Sequence, residues 1–170
     1  IEEDVICIDP GSTWFTKRWP VEYYSMLTDM LGGSGMKVTL TGAAEGNERC
    51  DYISSRNKSV INSCGKFSLL QTALLIKRSL LLVSNDSAAV HLASAVNTPV
   101  IDIYGPTVPA IGFYPLSENS ISMEVKDLNC RPCSIHGGKK CPAKTFDCMK
   151  NVTPEMIFAE IKRITNAKGN

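Results

Sequence analysis

The feature that most constrains the fold of this chain is a regular alternation of short apolar runs with segments of helical periodicity. The apolar runs lie at residues 5–8, 36–40, 60–61, 79–83, 99–104 and 121–125, and the helical patterns lie at residues 20–31, 48–56, 68–76, 88–96 and 153–166. Because the runs are continuously apolar, both faces of the sheet should be covered. The pattern therefore predicts an α/β fold with a parallel sheet and helices on both faces.

Charge and hydropathy exclude two classes of function. The net charge is +1, so the chain has no basic surface of the kind that binds nucleic acid. Its longest apolar runs are far too short to cross a bilayer. Residues 1–4 are largely acidic, unlike the basic start of a signal peptide, which favours a cytoplasmic protein. The abrupt entry into a strand suggests a piece of a longer protein.

Ligands of open α/β sheets bind beyond the carboxyl ends of the strands, so the loops there are candidate sites. The first such loop, residues 10–20, carries Thr13 and Lys17. Hydroxyl groups and an ammonium in front of a helix start could hold phosphate oxygens. The loop has neither Walker A nor G-x-G-x-x-G spacing, and a solvated surface loop is the competing interpretation.

A second loop joins an apolar run to a helix that begins on small residues. Ser87 and Ala88 lie at this start, where backbone N–H groups could receive an anion. Asp86 most simply caps the helix; beside a bound phosphate it should instead point at sugar hydroxyls. His91 lies one turn into the helix, where it is either structural or part of the rim of an anion site.

The third loop is residues 104–107, a Tyr-Gly-Pro-Thr sequence after an apolar run. Gly105 would permit close approach of the backbone to a ligand. A plain turn explains the same residues equally well.

A cluster of cysteines marks the region near the end of the chain. Four of the seven cysteines lie there: Cys130, Cys133, Cys141 and Cys148. The C-x2-C pair suits tetrahedral zinc, with His136 as a spare ligand, but the remaining spacing departs from the usual pattern. Structural zinc, two labile disulfides and reduced thiols all remain open, while Cys7, Cys50 and Cys64 are scattered and suggest no disulfide framework.

Together the loops resemble those of the ADP-heptose lipopolysaccharide heptosyltransferases, glycosyltransferase family 9, particularly the heptosyltransferase II type. The matching stretches are PGSTWFTKRWP, SNDSAAVHLASAVNTPVIDIYGPTVP and CRPC…CP…CM…VTPE. The resemblance implies a GT-B enzyme with two facing Rossmann-like domains. Residues 1–170 would then be the C-terminal, donor-binding domain, with a Cys-rich loop at 127–150 and a terminal helix at 153–166. The N-terminal acceptor domain would be absent.

The resemblance also implies roles for individual residues. The lysine before the tryptophan, Lys17, would contact the donor phosphate with Thr13 nearby. The Asp-Ser-small segment and its histidine would also contact the donor; these are Asp86, Ser87, Ala88 and His91. A glutamate after the second strand would contact the ribose, and both Glu45 and Glu48 fit.

The implied reaction is the inverting transfer of heptose from ADP-heptose to a lipopolysaccharide core acceptor. No cofactor is needed for transfer. The general base, and the contact with the acceptor, would belong to the missing domain. The expected location is the cytoplasm, at most in peripheral contact with the inner face of the inner membrane. A transferase for another nucleotide sugar and a non-catalytic, metal-stabilised binding module are the alternatives.

Overall fold

The sheet and its helices follow the order that the sequence predicts. The computed structural model describes residues 5–167; residues 1–4, with the acidic start noted above, and 168–170 lie outside it. In chain order the elements are β1 (Val5–Asp9), α1 (Val21–Gly33), β2 (Lys37–Leu40), α2 (Asn47–Arg56), β3 (Ile61–Asn62), α3 (Leu69–Lys77), β4 (Leu81–Asn85), α4 (Ala88–Ala95), β5 (Val100–Tyr104), β6 (Ile121–Glu124), α5 (Asp147–Lys150) and α6 (Pro154–Ala167).

The strands form one parallel sheet in the order β3-β2-β1-β4-β5-β6. This order confirms the predicted α/β, Rossmann-like fold. It reverses between β1 and β4, which pair with Ile6 opposite Leu81 and Asp9 opposite Ser84. At such a reversal the connections leave in opposite directions and open a crevice beyond the carboxyl ends of the two strands.

Helices cover both faces because neighbouring strand residues point to opposite sides. Ile6 and Ile8 of β1 pack in a core with α1, α2 and α6. Cys7, which lies between them, packs in a second core with α3 and α4. The continuous apolar character of the strands therefore reflects burial on two sides.

Several local predictions are confirmed. Ser68 caps α3 in a capping box with Gln71, each side chain accepting from the other residue's backbone N–H. Helix α6 buries Ile157, Ile161 and Ile164, the three isoleucines expected to face inward. Within residues 5–167, no helix has the length and apolar character needed to cross a membrane.

The Cys-rich loop contains one element that its sequence did not indicate. The short helix α5 lies within it, and it buries Cys148 and Met149. Four residues are too few to show helical periodicity, so packing against the sheet rather than local propensity explains this turn.

Candidate functional site

A cavity of about 650 Å³ opens at the carboxyl ends of the strands, a size typical of small-molecule sites. The loops after β1 and β2 and the start of α4 line it, so the crevice at the strand reversal is a formed site. Five of the residues that the sequence predicts to contact a donor line this cavity: Thr13, Glu45, Glu48, Ser87 and Ala88. An apolar portion of the wall consists of Phe67, Leu69 and Leu92.

The loop after β1, residues 10–19, is fixed by the buried side chain of Asn85 at the end of β4. Its amide Nδ2 donates to the carbonyl oxygens of Pro10 at 3.1 Å and Gly11 at 2.8 Å. Its Oδ1 accepts from Trp19 N–H at 2.9 Å and from the Tyr24 hydroxyl at 3.0 Å. Both ends of the loop are thus tied to one fully buried residue.

Arg49 of α2 holds the same loop from the other side. Its Nε donates to Pro10 O at 2.9 Å, and its second guanidinium nitrogen donates to Trp19 O at 2.6 Å. Burial lowers the pKa of this guanidinium from its ordinary value. Arg49 also lines the cavity, so it joins the helix that carries Glu48 to the loop that carries Lys17.

Lys17 ends a short 3-10 helix and forms an ion pair beside the cavity. Its Nζ lies 2.6 Å from Asp86 Oδ2, and the pair is largely buried. Asp86 Oδ2 also accepts from the Thr107 hydroxyl at 2.7 Å. The turn at residues 104–107 therefore supports the site through a side chain rather than through Gly105.

The prediction that Asp86 caps α4 is wrong. Ser87 is the N-cap, and its hydroxyl accepts from Ala89 N–H at 3.4 Å. Asp86 is instead drawn to Lys17 and Thr107. Because the Asp86 carboxylate is paired with Lys17 and is not bonded to the first-turn N–H groups, it does not occupy the position that an anion would take there.

Asp9 is an acid in the cavity wall that no sequence pattern singles out. Its Oδ1 accepts from Gly11 N–H at 2.8 Å. Burial raises the pKa of Asp9 to about 6, and that hydrogen bond offsets part of the rise.

The two candidate ribose ligands remain equivalent. Glu45 lies in the 3-10 turn Ala44–Gly46, and Glu48 lies in the first turn of α2. Both are exposed and both line the cavity. The geometry does not favour one of them.

Of the predicted donor-binding residues, Lys17, Asp86 and His91 do not line the cavity; Lys17 and Asp86 form the ion pair beside it, whereas His91 is not part of that pair. It is exposed on α4 and does not line the cavity. Its ring meets Phe113 edge-on at a centroid distance of 6.3 Å.

The Cys-rich loop carries four reduced thiols in the structure: Cys130, Cys133, Cys141 and Cys148. Burial and the neighbouring cysteines raise the pKa of Cys133, and burial raises that of Cys148 to about 11, so these thiols are protonated at neutral pH. Within residues 5–167, no three Cys, His, Asp or Glu side chains are arranged to hold a metal ion. As placed, the four cysteines do not fit a zinc site.

Two of the scattered cysteines are joined beside the cavity. Cys50 of α2 forms a disulfide with Cys64, which follows β3. Both are buried, and Cys50 lines the cavity. The sequence offered no sign of this pairing, because the two residues meet only when α2 packs next to β3.

Comparison with known proteins assigns a family to this architecture. The family described as Glycosyltransferase family 9 (heptosyltransferase) matches residues 1–144. The chain belongs to glycosyltransferase family 9.

Curated relatives of the chain include lipopolysaccharide and lipooligosaccharide heptosyltransferases. Lipooligosaccharide heptosyltransferase 2 of Haemophilus influenzae is 29% identical over 172 residues, which cover 96% of this chain and 48% of that protein. Lipopolysaccharide heptosyltransferase 2 of Escherichia coli is 33% identical over 114 residues, or 64% of this chain and 33% of that protein. The solved structure of E. coli ADP-heptose lps heptosyltransferase II aligns over 99% of this chain and 48% of its own, with 25% identity and a TM-score of 0.81. The chain thus spans about half the length of the Haemophilus relative.

Some residues that shape this family 9 site were missed by sequence reasoning. Asn85 and Arg49 hold the loop after β1 through its backbone groups, so no side chain of that loop signals their role. Arg131 carries no signal in the sequence that would single it out, yet its side chain is only 3% exposed.

Proposed function

We propose that this chain is the C-terminal, donor-binding half of a heptosyltransferase and that it binds ADP-heptose. The observation that carries the proposal is the ion-paired Lys17, held at the helix start of α4 beside a cavity of about 650 Å³. A largely buried lysine and the positive end of a helix together favour a diphosphate.

Each part of the cavity matches a part of such a donor. The diphosphate would lie between Lys17 and the small residues Ala88 and Ala89, which line the cavity at the start of α4. The apolar wall with Phe67 and Leu69 suits a nucleobase. Glu45 or Glu48 would then accept from the ribose hydroxyls.

Asp86 would serve both the lysine and the sugar. Its contacts with Lys17 and Thr107 both use Oδ2, so Oδ1 can accept from a sugar hydroxyl. Asp86 would thus keep the predicted contact with the sugar, although it does not cap α4 as predicted.

In transfer, this half would stabilise the departing ADP. Negative charge develops on the diphosphate as the glycosidic carbon–oxygen bond breaks, and Lys17 with the α4 N–H groups would balance it. The general base, which accepts the acceptor's proton for an inverting attack, would come from the other half of the enzyme. No cofactor is required for this chemistry.

Calorimetric titration of the chain with ADP, ADP-heptose and UDP tests the proposal. Lys17→Ala should weaken ADP binding by about 1.5–3 kcal/mol, because a charge-assisted phosphate contact is lost. Lys58→Ala is the matched control: Lys58 is exposed and precedes β3, at the opposite edge of the sheet. The Lys58→Ala variant should bind ADP with the same affinity as the unaltered chain.

Three results would count against the proposal. Unchanged ADP affinity in Lys17→Ala would remove the phosphate role of this lysine. A preference for UDP would assign the chain to another nucleotide-sugar transferase. Absence of binding to all three nucleotides would favour the non-catalytic module.

His91 stays a prediction as a donor ligand, because it is exposed and lies outside the cavity wall. His91→Ala should weaken binding of ADP-heptose and leave the thermal unfolding midpoint within about 2 °C, since an exposed side chain contributes little to stability. An unchanged affinity for ADP-heptose would restrict His91 to its contact with Phe113.

Zinc in the Cys-rich loop likewise stays a prediction. Elemental analysis of the purified chain, with Cys133→Ser as the control, tests it directly. One zinc per chain that is lost in Cys133→Ser would support the site. Five titratable thiols without metal would match the free cysteines in the structure and refute it.

We infer that the lipopolysaccharide core acceptor binds to the other half of the enzyme. A donor that is made inside the cell would place the reaction in the cytoplasm, with at most peripheral contact with the inner face of the inner membrane. Fractionation of cells that carry the full-length protein would test this location.

A further inference from the structure

Part of the Cys-rich loop, residues 131–138, lies against the loop that carries Lys17. Arg131 anchors its first end: the guanidinium donates to the backbone oxygens of Gly105 and Val125, to Thr107 O at 2.8 Å and to Glu124 Oε2 at 3.0 Å. With a side chain only 3% exposed, this is a buried anchor in the sheet rather than a solvated cation. Segment 131–138 is therefore attached to the carboxyl ends of β5 and β6.

The other end of the segment is tied to the residue before Lys17. Thr16 N–H donates to Gly138 O at 3.0 Å, and Gly138 N–H donates to Thr16 Oγ1 at 2.7 Å. The Thr16 hydroxyl also lies 3.1 Å from Gly138 O. Thr16 itself is only 3% exposed, and its bonds with the half-buried Gly138 are partly buried.

Between the two anchors, the backbone of Gly137 lies along the side chain of Lys17. A Cβ at Gly137 would meet Lys17 Cγ at 3.0 Å and Trp14 Cβ at 3.1 Å. The φ of Gly137 is +89°, in the left-handed region, so both its conformation and its contacts favour glycine. The aliphatic part of Lys17 thus has a backbone surface on one side, while its ammonium is held by Asp86.

We propose that segment 131–138 positions Lys17 for the donor phosphate and that Thr16 and Gly137 are its positioning residues. The inference rests on the proposed function, since it takes Lys17 as the phosphate ligand. A lysine side chain has many rotamers, and their restriction before the ligand arrives reduces the entropy lost on binding. The Cys-rich loop would then be a wall of the donor site rather than an appendage.

The first test is a double-mutant cycle measured by calorimetric titration with ADP. Thr16→Val keeps the shape of the side chain but leaves Gly138 N–H without its acceptor. We expect about tenfold weaker ADP binding, because a misplaced lysine loses much of a charge-assisted contact. Thr16→Ser keeps the hydroxyl and should restore the affinity.

The decisive comparison is Thr16→Val in the Lys17→Ala background. If Thr16 acts through Lys17, the further loss of ADP affinity there should be less than about twofold, because the two residues then form one coupled unit. An equal tenfold loss with and without Lys17 would show a merely structural role and overturn the inference.

Gly137→Ala provides a second route if Thr16→Val folds poorly. It should also lower ADP affinity about tenfold, because the new methyl group would displace the lysine chain, and a small misplacement has large effects on a directed contact. Gly33→Ala is the control, since a Cβ there meets nothing within 4 Å. Thermal unfolding midpoints verify that each variant is folded.

The ADP titrations distinguish failure of the positioning role from failure of the proposed donor-binding function. If the unaltered chain does not bind ADP, the proposed function fails and the inference falls with it. If the unaltered chain binds ADP and neither Thr16→Val nor Gly137→Ala weakens binding, the positioning role alone is refuted.

Discussion

The substitution Asn85→Asp tests how the site is built, because it changes hydrogen-bonding capacity without a change of shape. Asn85 is fully buried and uses both its donors and its acceptor. An aspartic acid could still accept from Trp19 and Tyr24. It would face the carbonyl oxygens of Pro10 and Gly11 with one proton at most, where the amide offers two.

The magnitude of the effect should depend on pH. One carbonyl left without a donor costs about 1–3 kcal/mol. A carboxylate that faces carbonyl oxygens in the core is strongly unfavourable, so the folded chain should keep this acid protonated. Relative to an unfolded pKa of about 3.9, protonation costs about 1.5 kcal/mol at pH 5 and about 4 kcal/mol at pH 7. The folded pKa is raised, so stability is retained below the unfolded pKa and lost as pH increases.

Urea unfolding, followed by the fluorescence of buried Trp19, would measure this loss at pH 5 and pH 7. The difference in unfolding free energy between Asn85→Asp and the unaltered chain should grow by about 3 kcal/mol over this interval. Asn166→Asp is the control, because Asn166 is exposed on α6 and should stay within about 0.5 kcal/mol. A loss at Asn85 below 1 kcal/mol at both pH values would refute the role assigned to its four hydrogen bonds.

Two further substitutions test the cavity wall. Replacement of both Cys50 and Cys64 by alanine should lower the unfolding free energy by about 3 kcal/mol, because the disulfide closes a loop of 14 residues; equal urea midpoints for both proteins would contradict it. Asp9→Asn should remove a loss of stability that the unaltered chain shows as pH rises from about 4 to 6, since burial raises the folded pKa of Asp9 to about 6. Identical pH profiles of unfolding would exclude this role for Asp9.

The sequence predicted the elements of the fold because each one has a local signal. Apolar runs gave the strands, and helical spacing gave α1, α4 and α6. The strand order could not be predicted from such local signals, because it depends on which edge of the sheet each new strand joins. Even so, polar loops after consecutive strands were enough to predict that the ligand site lies at their carboxyl ends, because parallel strands all end at one edge.

The errors in the site came from contacts between distant parts of the chain. Asp86 and Ser87 are both good helix caps, and local sequence cannot choose between them. The choice is made by Lys17, which lies 69 positions earlier in the chain, and by Thr107. The donor contact of His91 stays a prediction; in the structure its ring meets Phe113.

The contacts that hold the loop after β1 explain why its sequence motif was recognised while the residues that hold it were not. Asn85 of β4, Arg49 of α2 and Gly138 of the Cys-rich loop all hold this loop. Asn85 and Arg49 bond chiefly to its backbone, so side chains such as Thr13 and Lys17 stay directed by the fold but available for a ligand. A residue that bonds to backbone atoms can hold the loop whatever its side chains are. Such a residue therefore has no recognisable sequence pattern linked to the motif of the loop. The geometry of the site therefore depends on tertiary packing: three separate parts of the chain hold the loop from which Lys17 pairs with Asp86.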